Sequence, residues 1–322
     1  MASIFDLVSF KDIQAEEIQN DDEMIVIPLV GPALGDIEKP SNLVFEKTTG
    51  YGKMQFKNIG DKLAIVPSNL MIRGTGAQDH AMSGSGIVVE KTTHVFDNAC
   101  CIEQSQSGYL KSQNNIEDVL PISLRRSLLS LSLRNHKSYD KLWPDISDWL
   151  KGLDIKKTSS AHLNYFYNDK NIKEELEQFA AAFEPVQDQI GAIIFFGKDP
   201  VGIEIMSSPE HWNTYWKHLI RGCYGAELLR LKMLNVLQPS TLKLPRVTKD
   251  NTLEDITQKI ESFSKKLIQE MVDIVKNIQV TNDIRISIDN RKKVEIRLIT
   301  TKTGGGDIIL QESKPVYMSL VL

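Results

Sequence analysis

The sequence predicts an α+β fold, and three observations carry the prediction. Short runs rich in Val, Ile and Phe, punctuated by Gly, Pro, Asn and Asp, fill residues 25–120. After Pro121 the apolar spacing changes from strand-like to helical. Alternating runs then return from Ile284 to the end. Strands, then helices, then strands make no βαβ rhythm, so the N-terminal β region is expected to be mainly antiparallel, with the C-terminal strands rejoining the sheet. Residues 1–24 read as a polar, acidic lead-in and 25–322 as one composite unit. That unit is β-rich to 120, helical with one hairpin over 121–237, a linker over 238–250, and a long helix with closing strands over 251–322.

Taken in order, strands are expected at 25–30, 42–47, 53–59, 63–72, 86–96 and 99–104. Helices follow at 123–135 and 139–153, the second with Pro144 in its first turn, where a missing N–H is harmless, and at 171–184, stopped by Pro185. QIGAIIFFG (189–197) and VGIEIM (201–206), joined by KDP, make the clearest hairpin. Ser207, Ser208 and Pro209 open a helix running towards Leu237. Beyond the linker, Leu253, Ile256, Ile260, Phe263, Leu267, Met271, Ile274 and Ile278 form a three-and-four stripe, read as a core face, with Asn251 and Glu254 as a capping pair. Strands at 284–288 and 294–299, a turn at 303–307 and two last strands complete the chain.

Composition narrows the function classes. Hydrophobic residues at 41% and charged residues at 25% are ordinary for a globular protein, and a net charge of -4 argues against a surface that tracks nucleic-acid phosphates. Three cysteines, two of them adjacent, make no disulfide framework, which fits a reducing, cytoplasmic setting. No apolar run reaches the ~20 residues of a membrane span, and the N-terminus lacks the basic start of a signal peptide. Six histidines include no HxH or HxxxH pair, so no metal site is expected. No nucleophile, P-loop or dinucleotide motif is present, and no cofactor is implied.

The stretch from Gly74 to Leu110 gathers the most chemistry. Gln78, Asp79 and His80 lie on a loop whose glycines allow close backbone approach, although such residues also make ordinary turns. Cys101 and Glu103 share one strand face. A neighbouring carboxylate raises a thiol pKa, so Cys101 reads as packing, while Glu103 needs an arginine or a ligand to justify burial. Arg125 and Arg126 are candidates for that pairing or for an anionic ligand. Asp199, Glu204 and Glu227 could serve as acids or bases, with surface carboxylates the default. The TGGGD turn lacks the lysine, hydroxyl residue and helix of a phosphate loop.

The ordered blocks GAQDH (76–80), CIEQ (101–104), LRRSL (124–128), LWPDI (142–146), QIGAIIFFGKDPVGIEIM (189–206), WKHLIRGCYGAELL (216–229) and PVYMSLVL at the end resemble the ARG-and-rhodanese-phosphatase-superfamily-associated protein domain, from about Ile25 onward. The resemblance implies a bacterial, cytosolic protein in NAD- or ADP-ribose-linked pathways that binds a nucleotide-derived ligand, with Gln78, Asp79, Glu103 and Arg125 at the recurrent polar positions. Three positions depart from the pattern: His80 stands where relatives carry a basic residue, Gln104, Ser105 and Gln106 replace a Gly-Arg-Trp-like segment, and Tyr317 stands in place of histidine. Fewer arginines weaken a phosphate grip.

The expectation is therefore a protein binding a small nucleotide-like molecule, ADP-ribose or an NAD derivative, through Gln78, Asp79, His80, Glu103 and Arg125. A hydrolase using Glu103 or Asp79 as base is the first alternative. A scaffold for a protein partner or a second copy, presenting the helix at 252–278, is the other.

Overall fold

The structure, a computed structural model, describes residues 3, 12–21, 23–112, 116–153, 155, 161–237, 253–289 and 292–322. The linker at 238–250, Asn251 of the expected capping pair and the side chain of Glu254 lie outside the described residues. The expected α+β architecture is what forms, with antiparallel sheets and strands at both ends of the chain.

The lead-in contributes Gln14–Ala15 (β1) and Gln19–Asp21 (β2), both paired antiparallel with Met24–Val30 (β3). Leu43–Gly50 (β4) and Lys53–Asn58 (β5) make a hairpin. The run expected as one strand over 63–72 is two, Ala64–Val66 (β6) and Leu70–Arg73 (β7), in different sheets. Between them stand Pro67, which has no N–H for a ladder, and Asn69 at a φ of 57°, which turns the chain. His80–Ala81 (β8) pairs with β7. The 86–96 run also divides, into Gly86–Val88 (β9) and Thr93–Phe96 (β10), around Lys91 at a φ of 54°. Cys100–Cys101 (β11) and Ile116–Val119 (β12) flank the β7–β8 pair; the second was not legible as a strand.

The helices are Ile122–Leu133 (α1), Trp143–Leu150 (α2), Asn164–Tyr167 (α3) and Lys170–Ala181 (α4). Asp169 caps α4 by accepting from the N–H groups of Asn171 and Ile172 at 3.0 and 3.2 Å. The start of α1 follows Pro121, which offers no capping side chain, so Glu227 serves instead, accepting from Ser123 N–H at 3.0 Å and Ser123 Oγ at 2.7 Å. Gln189–Phe196 (β13) and Asp199–Ile205 (β14) form the expected hairpin. Ser208 caps Pro209–His218 (α5), which passes through a π-helical turn at Leu219–Gly225 into Ala226–Met233 (α6). Leu253–Lys276 (α7) precedes Asn282–Asp289 (β15), Val294–Thr300 (β16), Gly305–Gln311 (β17) and Lys314–Val321 (β18).

The central hairpin joins the two ends of the chain. The main sheet runs β1-β3-β13-β14-β18-β17-β16-β15, with β2 also on β3. One face packs Ile25, Ile27, Ile193, Phe195, Ile203 and Ile205 under Met271 and Val275 of α7. The other packs Met24, Val26, Ala192, Ile194 and Tyr317 against Trp212, Trp216 and Tyr224. Burial on both faces is why these strands read as unbroken apolar runs. Leu267, Met271 and Ile278 of the α7 stripe thus lie on the core face that its spacing predicts, while Ile274 is exposed. Beyond α7, the edge strand β15 stays largely exposed.

Candidate functional site

Two polar centres are built from these elements, one closed and one open. The closed centre holds four of the five expected residues. Gln78 donates from Nε2 to the carbonyls of Glu103 and Asp79 at 2.8 and 3.2 Å. Asp79 Oδ1 accepts from Gly74 N–H at 2.8 Å, and Oδ2 accepts from Asn164 Nδ2 and from Gln106 Nε2. His80 donates from Nδ1 to Gln78 O at 2.8 Å and accepts at Nε2 from Gly52 N–H at 3.1 Å, which fixes a neutral tautomer. Glu103 meets His162 Nδ1 at 3.0 Å and accepts from Asn164 N–H. Asn164 Oδ1 in turn accepts from Arg73, whose guanidinium also reaches Asp118 at 2.6 Å and lies over the Tyr167 ring. Arg221 holds the other oxygen of Asp118 and extends the network to Glu177.

Burial sets the electrostatics of this centre. It pushes the Asp79 carboxyl up, against the hydrogen bonds from Gly74, Asn164 and Gln106. It pushes Glu103 up to about 8, with the nearby Asp79 charge acting in the same direction. It lowers both His80 and His162, away from the charged form that would pair with a Glu103 carboxylate. Cys100, Cys101 and Cys223 are each pushed up to about 12 by burial and remain thiols, as expected for packing residues.

The open centre lies around Arg125, which the structure separates from Glu103. Arg125 is buried in α1 and donates from Nη1 to Glu204 at 2.7 Å, from Nη2 to Ser319 Oγ at 2.7 Å and from Nε to Asn69 Oδ1 at 3.2 Å. Burial opposes its charge, but Glu204 and the polarisable Cys223 sulfur hold it protonated. Glu204 is fully enclosed and also accepts from Tyr224 and Ser319, so it and the buried Glu227 are not the surface carboxylates expected by default. Asp307 lies nearby, 5% exposed, taking Ser68 Oγ at 2.8 Å and Ser85 N–H at 2.6 Å, both on Oδ2.

Above these groups opens a cavity of about 470 Å³. Asp307, Arg125, Asn69 and Ser319 lie at its floor; Ile286, Ile288, Leu298 and Val95 supply an apolar wall. His94, His136, Lys137 and Lys141 add basic groups. The 303–307 glycines shape this wall instead of cradling phosphate. A Cβ at Gly305 or Gly306 would run into the carbonyl of Ile299 or Ser319, so the strands close only with glycine there.

Asp307, Ser68, Asn69, Ser85 and Ser319 were not singled out from the sequence. The only signal was a polar residue inside an apolar run, Ser319 in VYMSLVL and Asp307 before IIL. Gln78, Asp79, His80 and Glu103 do not line the cavity. Among the described residues, no three or more His, Cys, Asp or Glu side chains are grouped to hold a metal ion. Among the described residues, no helix is long and apolar enough to cross a membrane.

Fold and centres together define an α+β protein with one long antiparallel sheet, a closed polar hub and an open cavity beside it. The chain belongs to the ARG and Rhodanese-Phosphatase-superfamily-associated Protein domain family, whose pattern matches residues 16–320. Neither the curated proteins nor the solved structures give a match.

Proposed function

We propose that the chain binds a small nucleotide-derived ligand, ADP-ribose or an NAD derivative, in the cavity between α1 and β15–β17. The observation that carries the reading is Asp307. Its two hydrogen bonds both fall on Oδ2, while the residue lines a cavity of a size typical for small molecules, roughly 300–1,000 Å³. Oδ1 is then the acceptor for ribose hydroxyls, the exposed Lys137 and His136 face a phosphate, and Ile286, Ile288 and Val95 take the base. Arg125 supports this floor indirectly, since Glu204 already neutralises it.

The test is a thermal-shift panel of ADP-ribose, NAD, AMP and ATP. A ligand held only by the folded state at a hundredfold excess over its dissociation constant adds about 2.7 kcal/mol. One or more adenine compounds should raise the melting temperature of the wild type and not of Asp307→Asn. Silence across the panel rejects the reading.

A second reading, turnover at the closed centre, is favoured by one observation: Asp79 and Glu103 are neighbouring buried carboxyls whose shifts are of the kind that cluster at functional sites. Hydrolysis of ADP-ribose that vanishes in Glu103→Gln would establish it. The scaffold reading is less supported, because Leu267, Met271 and Val275 of α7 pack against the sheet.

A further inference from the structure

A second, smaller cavity of about 200 Å³ opens where the β4–β5 hairpin meets the start of α5. Its lining combines apolar and aromatic side chains, Leu43, Phe45, Phe56 and Tyr215, with two carboxylates, Glu117 and Glu210. No lysine, arginine or histidine lines it. Glu117 projects from β12 half-buried, with no ion pair or side-chain hydrogen bond among the described residues. Burial and the adjacent Asp118 charge push its carboxyl up. Tyr215 is 5% exposed, and its hydroxyl also lacks a hydrogen-bond partner among the described residues. Burial, reinforced by the negative charge of Glu117, pushes the Tyr215 phenol up as well, and both groups line the same cavity.

A carboxylate without an ion pair and a phenol without a hydrogen-bond partner among the described residues thus both open onto one cavity, where they are available to a ligand. A metal ion fits poorly, because most of the wall is hydrocarbon and hard cations demand six or more oxygens. An organic cation fits: aromatic and apolar walls favour its alkyl groups, and Glu117 with Glu210 supplies the counter-charge. We propose that this cavity is a binding site for a small alkylammonium compound, anchored by Glu117 with Tyr215 beside it. The site is separate from the cavity over Asp307 and does not depend on a nucleotide binding there.

Calorimetric titration of the full chain with choline, and with its neutral isostere 3,3-dimethyl-1-butanol, tests the assignment. Saturable binding of choline alone is expected. Affinity should fall about tenfold or more in Glu117→Gln, as for a desolvated ion pair, and should be unchanged in Asp307→Asn. Should Glu117→Gln fail to fold, Glu210→Gln, on the exposed first turn of α5, should weaken choline several-fold. Equal affinity for the neutral isostere, absence of saturable choline binding, or binding indifferent to both glutamate substitutions would overturn the proposal.

Discussion

The closed centre around Asn164 and the open one around Asp307 use similar materials to opposite ends. Each contains a buried arginine matched by a fully buried carboxylate, Arg73 with Asp118 and Arg125 with Glu204. In the closed centre nearly every polar side-chain atom is spent on a neighbour. Asn164 alone serves Arg73, Asp79 and Glu103. In the open centre the arginine is equally spent, but one carboxylate, Asp307, sits at the end of the network and borders empty volume. A cluster of polar residues is therefore a poor guide to a ligand site by itself; the unspent member beside a cavity is the better guide.

The sharpest break in this comparison comes from Arg125→Met. It strands the Glu204 carboxylate in a fully enclosed position, and unpairing a buried ion pair costs about 3–5 kcal/mol. Chemical denaturation should show that loss, and adding Glu204→Gln should recover much of it. Asp118→Asn in the closed centre should cost somewhat less, about 2–4 kcal/mol, because Arg73 and Arg221 retain Asn164 and Glu177 as partners.

The next effect separates the centres by pH. The Glu103 carboxyl is raised from 4.5 to about 8, so between those values the folded chain holds a proton that the unfolded chain has released. The stabilising contribution is full below about 4.5 and is lost as pH rises towards 8. Asp79, Asn164, His162 and Arg73 surround the group, and burial lowers His162, away from its charged form. Urea midpoints should fall over this range in the wild type and flatten in Glu103→Gln; an unchanged slope would show that Glu103 is ionised in the fold. The smallest effect is at the cavity rim. Lys137→Ala should weaken an anionic ligand by about two- to five-fold, as an exposed charge contact allows, and the difference should shrink at high salt.

The fold class was legible because periodicity reports burial directly. Runs such as IVIPLV and GAIIFF could be placed as strands, and Ser208-Pro209 announced α5, since these signals are local. The divided strands at 63–72 and 86–96 were not, because the breaks rest on Asn69 and Lys91 adopting positive φ, which residue type alone does not announce. Within the site, Gln78, Asp79 and Glu103 do converge, as their short separation suggested. Their partners Asn164 and His162 arrive from about 60 residues away, and a single sequence carries no sign of that meeting. Arg125 was one candidate to answer Glu103 or an anionic ligand, with a structural ion pair as the other reading; Glu204, on the central hairpin, lies directly against α1 and takes it. Asp307 went unnoticed because three glycines before it look like a turn, and only the sheet shows that they let two strands close around a carboxylate.

The most direct test of this division of labour is calorimetric titration of ADP-ribose into the wild type, Asp307→Asn and Glu103→Gln at one pH and salt. The account predicts binding in the wild type, a loss of about tenfold or more in Asp307→Asn, as for a lost charged hydrogen bond, and wild-type affinity in Glu103→Gln. Binding that survives in Asp307→Asn and disappears in Glu103→Gln would contradict it and move the ligand to the closed centre.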